Sequence, residues 1–186
     1  MILQDLLNKW KIKIDANVLL SMWNESHRHY HSLNHLTSLL EDIDNEYKNK
    51  VSEKEYEKLQ IVALFHDIIY DPKRSDNEEK SAEFFLNACI EKNNKDILEI
   101  KNAILDTKKH KSSSSLSEKF NNLDMKIVEK DFNQLLEWEE GIYNEYKFYG
   151  DKYKEGRIQF LESLLDRYNH NASNLLKLIS WIEKNR

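Results

Sequence analysis

The most apolar segment of this 186-residue chain reads Leu59-Gln60-Ile61-Val62-Ala63-Leu64-Phe65-His66-Asp67-Ile68-Ile69-Tyr70. A continuous apolar run of this kind is typical of an element that is buried on all sides. Ser52 and Glu55 lie just upstream and form a capping box, which predicts that a helix begins there. Downstream, Asp71 precedes Pro72, whose ring disfavours helical geometry at the residue before it. We therefore predict one central helix from near Ser52 to just before Pro72, with the His-Asp pair inside it.

The rest of the chain also favours helices. Glycine occurs 3 times and proline once, whereas folds built from strands and tight turns need many more of both. Apolar residues recur at intervals of three and four, for example in the segment 33–47. We predict about eight or nine helices on this basis. Because 186 residues build one core but are short for two, we predict an all-α fold, a single-domain compact helical bundle over residues 1–186.

Composition disfavours several classes of protein. Cys89 is the only cysteine, so neither an intramolecular disulfide nor a zinc site built from cysteines is expected. Asp5 near the start argues against a signal peptide, and no stretch approaches the roughly 18 apolar residues of a membrane span. We therefore expect a cytoplasmic protein without a membrane partner. The net charge of −5 argues against long nucleic acid as a partner, but it is compatible with a small phosphorylated substrate.

Four of the 7 histidines fall within nine residues: His27, His29, His31 and His35. On a continuous helix, the first, third and fourth of these would lie on one face. Imidazole nitrogen is the commonest protein ligand for borderline divalent metals, so the cluster is a candidate metal site. The alternative is a solvated polar turn in which the histidines only form hydrogen bonds.

The pair His66–Asp67 stands out because of its apolar surroundings. Burying an ionised carboxylate there is costly unless something compensates the charge, and a divalent cation is the strongest compensation. The alternative places Asp67 at the rim of the helix, facing water or an arginine. A third candidate, Asp124, lies in an apolar stretch that predicts a helix beginning near Leu123. Taken alone, Asp124 is equally explained as a helix N-cap or a first-turn acid.

These motifs together resemble the HD superfamily of metal-dependent phosphohydrolases. The closer similarity is to a group of small bacterial proteins described as predicted metal-dependent HD phosphohydrolases. The resemblance covers about residues 20–170 and rests on six stretches, 28–36, 63–71, 76–82, 104–110, 123–125 and 156–157. The chain departs from the family at Asn122, where members tend to have an acid, and at Tyr143, near which members tend to carry an arginine.

The resemblance implies a divalent metal held by His35, His66, Asp67 and Asp124. His31 is the alternative first ligand, or a contact to substrate or to a second metal, and we favour His35 because it starts an apolar helical run. This donor set suits Mn, Mg, Fe, Co, Ni or Zn, and the sequence does not choose among them.

The resemblance also implies how the reaction would proceed. The metal would lower the pKa of a bound water, and the resulting hydroxide would attack phosphorus. Asp67 would both ligate the metal and orient that water. Arg28, Lys108 and His110 are expected to contact phosphate because each carries, or can carry, positive charge. Their alternative role is that of ordinary surface cations.

The expected function is therefore hydrolysis of a small phosphate ester, including a nucleotide. One alternative is an HD-type di-iron oxygenase, for which His31 and His110 would supply the extra ligands. Another is a non-catalytic module that binds a metal or a nucleotide. A homodimer is a further option, since exposed positions among Trp10, Trp23, Trp138 and Trp181 would suit an interface.

Overall fold

The computed structural model describes residues 3–186, and every regular element in that range is a helix. Helices make up 71% of it, and the described residues contain no strand. The only extended pairing in this range is an isolated bridge between Ile12 and Cys89. The all-α prediction is confirmed, with ten α-helices in the described chain where about eight or nine were expected. None of these helices combines the length and apolar character that a membrane span requires.

Contacts divide the chain into two units, the first ending at Asp124 and the second running from Met125 to Arg186. The prediction of one domain over the whole chain stays a prediction. The first unit contains α1 (Leu3–Lys9), α2 (Ala16–Trp23), α3 (Leu33–Tyr47), α4 (Glu53–Phe65), α5 (Asn77–Ala88), α6 (Lys95–Asp106) and α7 (Ser115–Asp124).

The second unit contains three α-helices and three short 3-10 helices. The α-helices are α8 (Phe132–Tyr146), α9 (Asp151–Leu164) and α10 (Ala172–Asn185), and the 3-10 segments are Met125–Glu129, Lys147–Tyr149 and Asn169–Asn171. Its buried apolar residues include Leu135, Leu161, Leu175 and Leu178, all with no exposed surface.

Helix α4 is the centre of the first unit, as the apolar run predicts. Its residues Leu59 and Ile61 through Phe65 have no exposed surface. Helices α3, α5, α6 and α7 all pack against it. The predicted start is also confirmed, since Ser52 is the N-cap and its hydroxyl accepts a hydrogen bond from the amide of Glu55 at 3.2 Å.

Helix α4 is shorter than predicted. It ends at Phe65, so His66 caps the helix and Asp67 lies in the turn that follows instead of inside a helix. The reason is that side chains take over the acceptors of the last turn. The ring of His66 donates to the carbonyl oxygen of Ala63 at 3.0 Å, and the indole of Trp23 donates to that of Leu64 at 2.9 Å.

One other local prediction is wrong, and one open alternative is decided. Asp124 is the last residue of α7, not the start of a helix, and the residues after it form the 3-10 helix Met125–Glu129. The segment 27–31 consists of turns and bends, and α3 begins only at Leu33. The histidines at 27 and 31 therefore do not share a helical face with His35.

The tryptophans do not form the exposed surface considered for a dimer. Trp23 has no exposed surface, and Trp138 is 6% exposed. The large apolar residues that are exposed in the described chain are Val18, Ile90, Leu98, Phe148, Tyr149 and Leu176. A homodimer stays a prediction without support from the tryptophans named for it.

Candidate metal centre

Three residues that are far apart in sequence meet in the first unit. His35 comes from the first turn of α3, His66 from the C-cap of α4, and Asp124 from the last position of α7. Each offers one ligand atom, and these three atoms lie within 4.8 Å of one another. Asp124 Oδ1 is 3.2 Å from His35 Nε2 and 3.8 Å from His66 Nε2. Two imidazole nitrogens and a carboxylate oxygen therefore converge at one point, as a metal site requires.

Asp67 borders this cluster. Its Oδ2 lies 3.2 Å from His66 Nε2. The side chain of Asp67 is 15% exposed and that of Asp124 is 13% exposed, so both carboxylates lie largely out of water. Of the four ligands that the family resemblance implies, the structure gathers three at one point and puts the fourth beside them.

The hydrogen bond from the His66 ring to Ala63 determines what the ring presents to the cluster. A carbonyl oxygen only accepts, so Nδ1 carries the proton, and in a neutral ring Nε2 presents a lone pair. That lone pair faces two carboxylates, which are acceptors too. Within the described chain, Nε2 has no partner in hydrogen-bonding geometry although it is buried. A cation at this point satisfies the lone pair and both carboxylates, so the residues present fit a metal ion.

Aromatic side chains hold the His66 ring in place. Its centroid is 5.4 Å from that of Trp23 and 5.1 Å from that of Phe120. On the other side of the cluster, the Tyr30 ring lies 4.9 Å from His35. Sequence reasoning did not assign these three aromatic residues to the site, because an aromatic residue in a helical sequence is indistinguishable from ordinary core.

The pKa values of the cluster show that it attracts positive charge. Burial alone would lower the pKa of His66, but the carboxylates of Asp67 and Asp124 outweigh burial and raise it to about 9. Burial would raise the pKa of Asp67, but the charges of His66 and His31 hold it well below its usual range. The pKa of Asp124 is likewise held low against burial, by hydrogen bonds from His110 and His35. Both carboxylates are therefore ionised at neutral pH, with a proton on His66 as their counter-charge.

The structure includes His35 and not His31 in the described cluster. The ring of His31 lies 6.1 Å from that of His35 and 4.5 Å from that of Tyr70. It is nevertheless close enough to Asp67 to lower the pKa of that carboxyl group. The geometry therefore favours His35 as the first ligand, and His35 does begin the apolar helical run of α3.

His110 contacts the other oxygen of Asp124. The distance from His110 Nε2 to Asp124 Oδ2 is 3.1 Å, so Oδ1 is left to face His35 and His66. His110 has a backbone φ of 46°, a left-handed conformation that is uncommon for a residue with a side chain. A phosphate contact by His110 stays a prediction, and its observed neighbour is a candidate metal ligand.

Lys108 and Arg28 differ in their exposure to solvent. The Lys108 side chain is a third exposed, and its ammonium lies 2.5 Å from Glu79 Oε1, 2.6 Å from the Ser75 carbonyl oxygen and 4.0 Å from Glu78 Oε2. Burial and the nearby charge of Asp67 raise the pKa of Glu78. The Arg28 side chain has no exposed surface. Phosphate contacts by both cations stay predictions.

Comparisons with known proteins do not assign this chain to a family. No family model matches the chain, and no match is found among curated proteins or among solved structures. The resemblance to the HD superfamily therefore stays a prediction.

Proposed function

We propose that this protein is a metal-dependent phosphohydrolase of the HD type that acts on a small phosphate ester or a nucleotide. One observation carries the proposal: His35, His66 and Asp124 converge within 4.8 Å, and the buried Nε2 of His66 has no hydrogen-bond partner among the described residues. A buried imidazole nitrogen that faces two carboxylates is unfavourable unless a positive charge, either a proton or a metal ion, lies between them. The family resemblance of the surrounding motifs supports a phosphate ester as the substrate.

The ion would be held by His35 Nε2, His66 Nε2 and Asp124 Oδ1, with Asp67 beside them. When bound there, a divalent ion supplies a water of lowered pKa and a Lewis acid for a phosphoryl oxygen. Three protein ligands leave positions for water and substrate, as in other catalytic metal sites.

The protein side chains around the cluster have distinct tasks in this proposal. His110 donates to Asp124 Oδ2 and so keeps Oδ1 directed at the two imidazoles. Asp67, ionised and only partly exposed, accepts a hydrogen bond from the attacking water and orients it. Lys108 provides positive charge for the phosphoryl oxygens, and its contact with Glu79 keeps the flexible ammonium in place.

The remaining expectations stand as parts of this proposal. Substrate is a small phosphorylated molecule, the protein acts in the cytoplasm, and neither a membrane nor long nucleic acid takes part. The ion is Mn, Mg, Fe, Co, Ni or Zn, all of which accept imidazole and carboxylate ligands to differing degrees.

The test is a phosphate-release screen with nucleotides and sugar phosphates in the presence of Mn²⁺, Mg²⁺, Co²⁺ or Ni²⁺, preceded by elemental analysis of the purified protein. We expect one metal-dependent activity in the wild type and none in His66→Ala or Asp67→Ala. His170→Ala is the matched control, because the side chain of His170 is 58% exposed and lies in the second unit.

Two outcomes would contradict the proposal. Full metal content and full activity in both site variants would remove the metal centre from the mechanism. Absence of phosphate release with every substrate, together with oxygen consumption by the iron-loaded protein, would favour the oxygenase alternative.

A further inference from the structure

The five carbonyl groups that follow the His66 position are all captured by side chains. Residues 67–71 belong to no regular helix, so their carbonyl oxygens lack the usual helical donors. Arg28 takes the first two: its Nη1 donates to Asp67 O at 2.8 Å, and its Nη2 donates to Ile68 O at 3.1 Å. The guanidinium therefore grips the backbone of a candidate metal-site residue directly.

The next carbonyl belongs to Ile69. The Ser81 hydroxyl donates to Ile69 O at 3.2 Å and accepts from the amide of the same residue at 3.1 Å. Ser81 has no exposed surface and lies on α5. A single side chain thus satisfies both backbone groups of Ile69.

His27 and Asn77 hold the last two carbonyls. His27 Nε2 donates to Tyr70 O at 2.8 Å, and the two rings stack with an interplanar angle of 4°. Asn77 Nδ2 donates to Asp71 O at 2.9 Å, while Asn77 Oδ1 accepts from the Asp71 amide at 3.1 Å. Each residue of the segment is therefore tied at its own carbonyl.

Arg28 also connects this segment to the histidine-bearing one. Its Nη1 donates to His31 O at 3.0 Å, and its Nε donates to Glu25 Oε2 at 3.1 Å. The guanidinium carbon lies 5.3 Å from the centroids of both Trp23 and Tyr70. Burying a guanidinium whose carboxylate partner is 45% exposed is a costly way to join two segments. Lysine cannot reproduce these contacts, because it lacks the planar fork of donors.

We infer that Arg28, His27, Asn77 and Ser81 form a carbonyl clamp that fixes Asp67 relative to His66, and that Arg28 is a positioning residue for the metal centre. The inference depends on one part of the proposed function, namely that the cluster of His35, His66 and Asp124 binds a metal. Arg28 acts through the backbone of Asp67 and not on phosphate. The clamp also accounts for the joint occurrence of the stretches 28–36, 63–71 and 76–82, since three of its four members lie in them.

The test compares Arg28→Lys with Arg74→Lys in the full chain. Arg74 is the matched control because it lies in the neighbouring segment, pairs with Asp76 on the surface and has a side chain that is 42% exposed. Binding of Co²⁺ is followed by its visible absorption spectrum, which reports ligand geometry as well as affinity. Circular dichroism of the metal-free proteins shows whether each is folded.

We expect Arg28→Lys to weaken Co²⁺ binding by about 10–100-fold and to change the Co²⁺ spectrum, as loss of outer-sphere support does in other metal sites. Arg74→Lys should match the wild type in both measurements. Unchanged Co²⁺ affinity and an unchanged Co²⁺ spectrum in Arg28→Lys would overturn the inference. If the KM for phosphate release rises in this variant while Co²⁺ binding is unchanged, the predicted contact of Arg28 with phosphate is supported instead.

Two further measurements distinguish an error in the clamp inference from an error in the proposed metal site. If Arg28→Lys does not fold, Ser81→Ala replaces it, with an expected smaller loss of Co²⁺ affinity. Amide exchange in residues 66–71 of the metal-free protein should accelerate at least about tenfold in either variant. A wild type that binds no Co²⁺ contradicts the proposed function, whereas unchanged exchange in the variants contradicts the clamp.

Discussion

Both units of the molecule bury carboxylates, but they neutralise them with different partners. In the first unit, Asp67 and Asp124 face imidazole rings, and the Nε2 of His66 lacks a hydrogen-bond partner in the described chain. In the second unit, Glu139 is fully buried and accepts hydrogen bonds from Arg157 Nε at 2.8 Å and from the Tyr153 hydroxyl at 2.6 Å.

The cluster in the second unit supplies its own positive charge. Arg157 stays charged at every ordinary pH and its guanidinium carbon lies 4.0 Å from the Trp138 ring. Tyr153 remains neutral because burial and the charge of Glu139 raise its pKa. A permanently charged donor thus faces the carboxylate, which is the usual way to bury an ion pair.

The difference indicates which of the two clusters could hold a metal ion. An arginine beside a carboxylate leaves no need for an external cation, and it also blocks one. Imidazole can give up its proton, so the first unit holds a positive charge that a metal ion can replace. Buried charge alone therefore does not mark a metal site, and the chemistry of the neighbouring group decides.

The largest expected effect comes from removing the carboxylate that faces both imidazoles. Asp124→Asn keeps the shape of the side chain but loses its charge, so metal affinity should fall by more than about 100-fold, together with phosphate release. Glu139→Gln, the equivalent change in the second unit, should leave metal affinity unchanged. Titration of each protein with Mn²⁺ or Co²⁺ measures both, and equal losses in the two variants would abolish the distinction between the clusters.

The second prediction concerns the contribution of the buried Glu139 in the second unit to stability. Glu139→Ala leaves Arg157 buried without its carboxylate, which should cost about 3–5 kcal/mol of unfolding free energy. Chemical denaturation followed by tryptophan fluorescence measures the loss, since Trp138 and Trp181 belong to the second unit. Glu140→Ala is the control: Glu140 is 51% exposed, and its removal should cost less than about 1 kcal/mol. Equal losses of unfolding free energy in the two variants would show that the burial of Glu139 does not add to stability.

The third prediction is a pH dependence that only the first unit should show. In the metal-free protein the pKa of His66 is about 9, above its ordinary value of about 6.5. Its protonation therefore stabilises the fold fully below about pH 6.5, and this contribution, about 1–3 kcal/mol, is lost as the pH rises through about 9.

Thermal unfolding of the metal-free protein between pH 6 and 9.5 measures this loss. The slope should vanish in His66→Ala. Saturating metal should flatten it in the wild type, because the ion replaces the proton as the counter-charge. A wild-type slope that persists unchanged in His66→Ala would assign the pH dependence to other groups.

The smallest expected effect is that of Lys108→Ala. Lys108 pairs with Glu79 near the surface, so its loss should change the unfolding free energy by less than about 1 kcal/mol. If it also provides charge for phosphate, KM should rise about fivefold, equal to about 1 kcal/mol, with kcat unchanged. Lys119→Ala is the control, since Lys119 pairs with Glu55 at 3.0 Å and plays no part in the proposal. Steady-state kinetics decides, and identical KM values would leave Lys108 as a surface cation.

Local pattern was enough to predict the all-helical fold, the central position of α4 and the Ser52 cap. It failed at the end of α4, because apolar residues continue through Tyr70 while the helix stops at Phe65. The donors that end the helix belong to His66 and Trp23, and the second of these is 41 residues away from its acceptor. Periodicity does not report such a contact. Asp124 was misplaced for a similar reason, since apolar residues continue across the end of α7 into the 3-10 helix.

By itself, the sequence determined which residue types are available for chemistry: imidazoles and carboxylates near apolar runs, without a cysteine set. It did so because helical periodicity and charge are properties of neighbouring residues. Only the tertiary structure decided that His35, His66 and Asp124 converge, that Nε2 of His66 faces carboxylates, and that Glu139 faces an arginine instead. These outcomes depend on how helices pack across tens of residues, and a metal site is defined by distances in space.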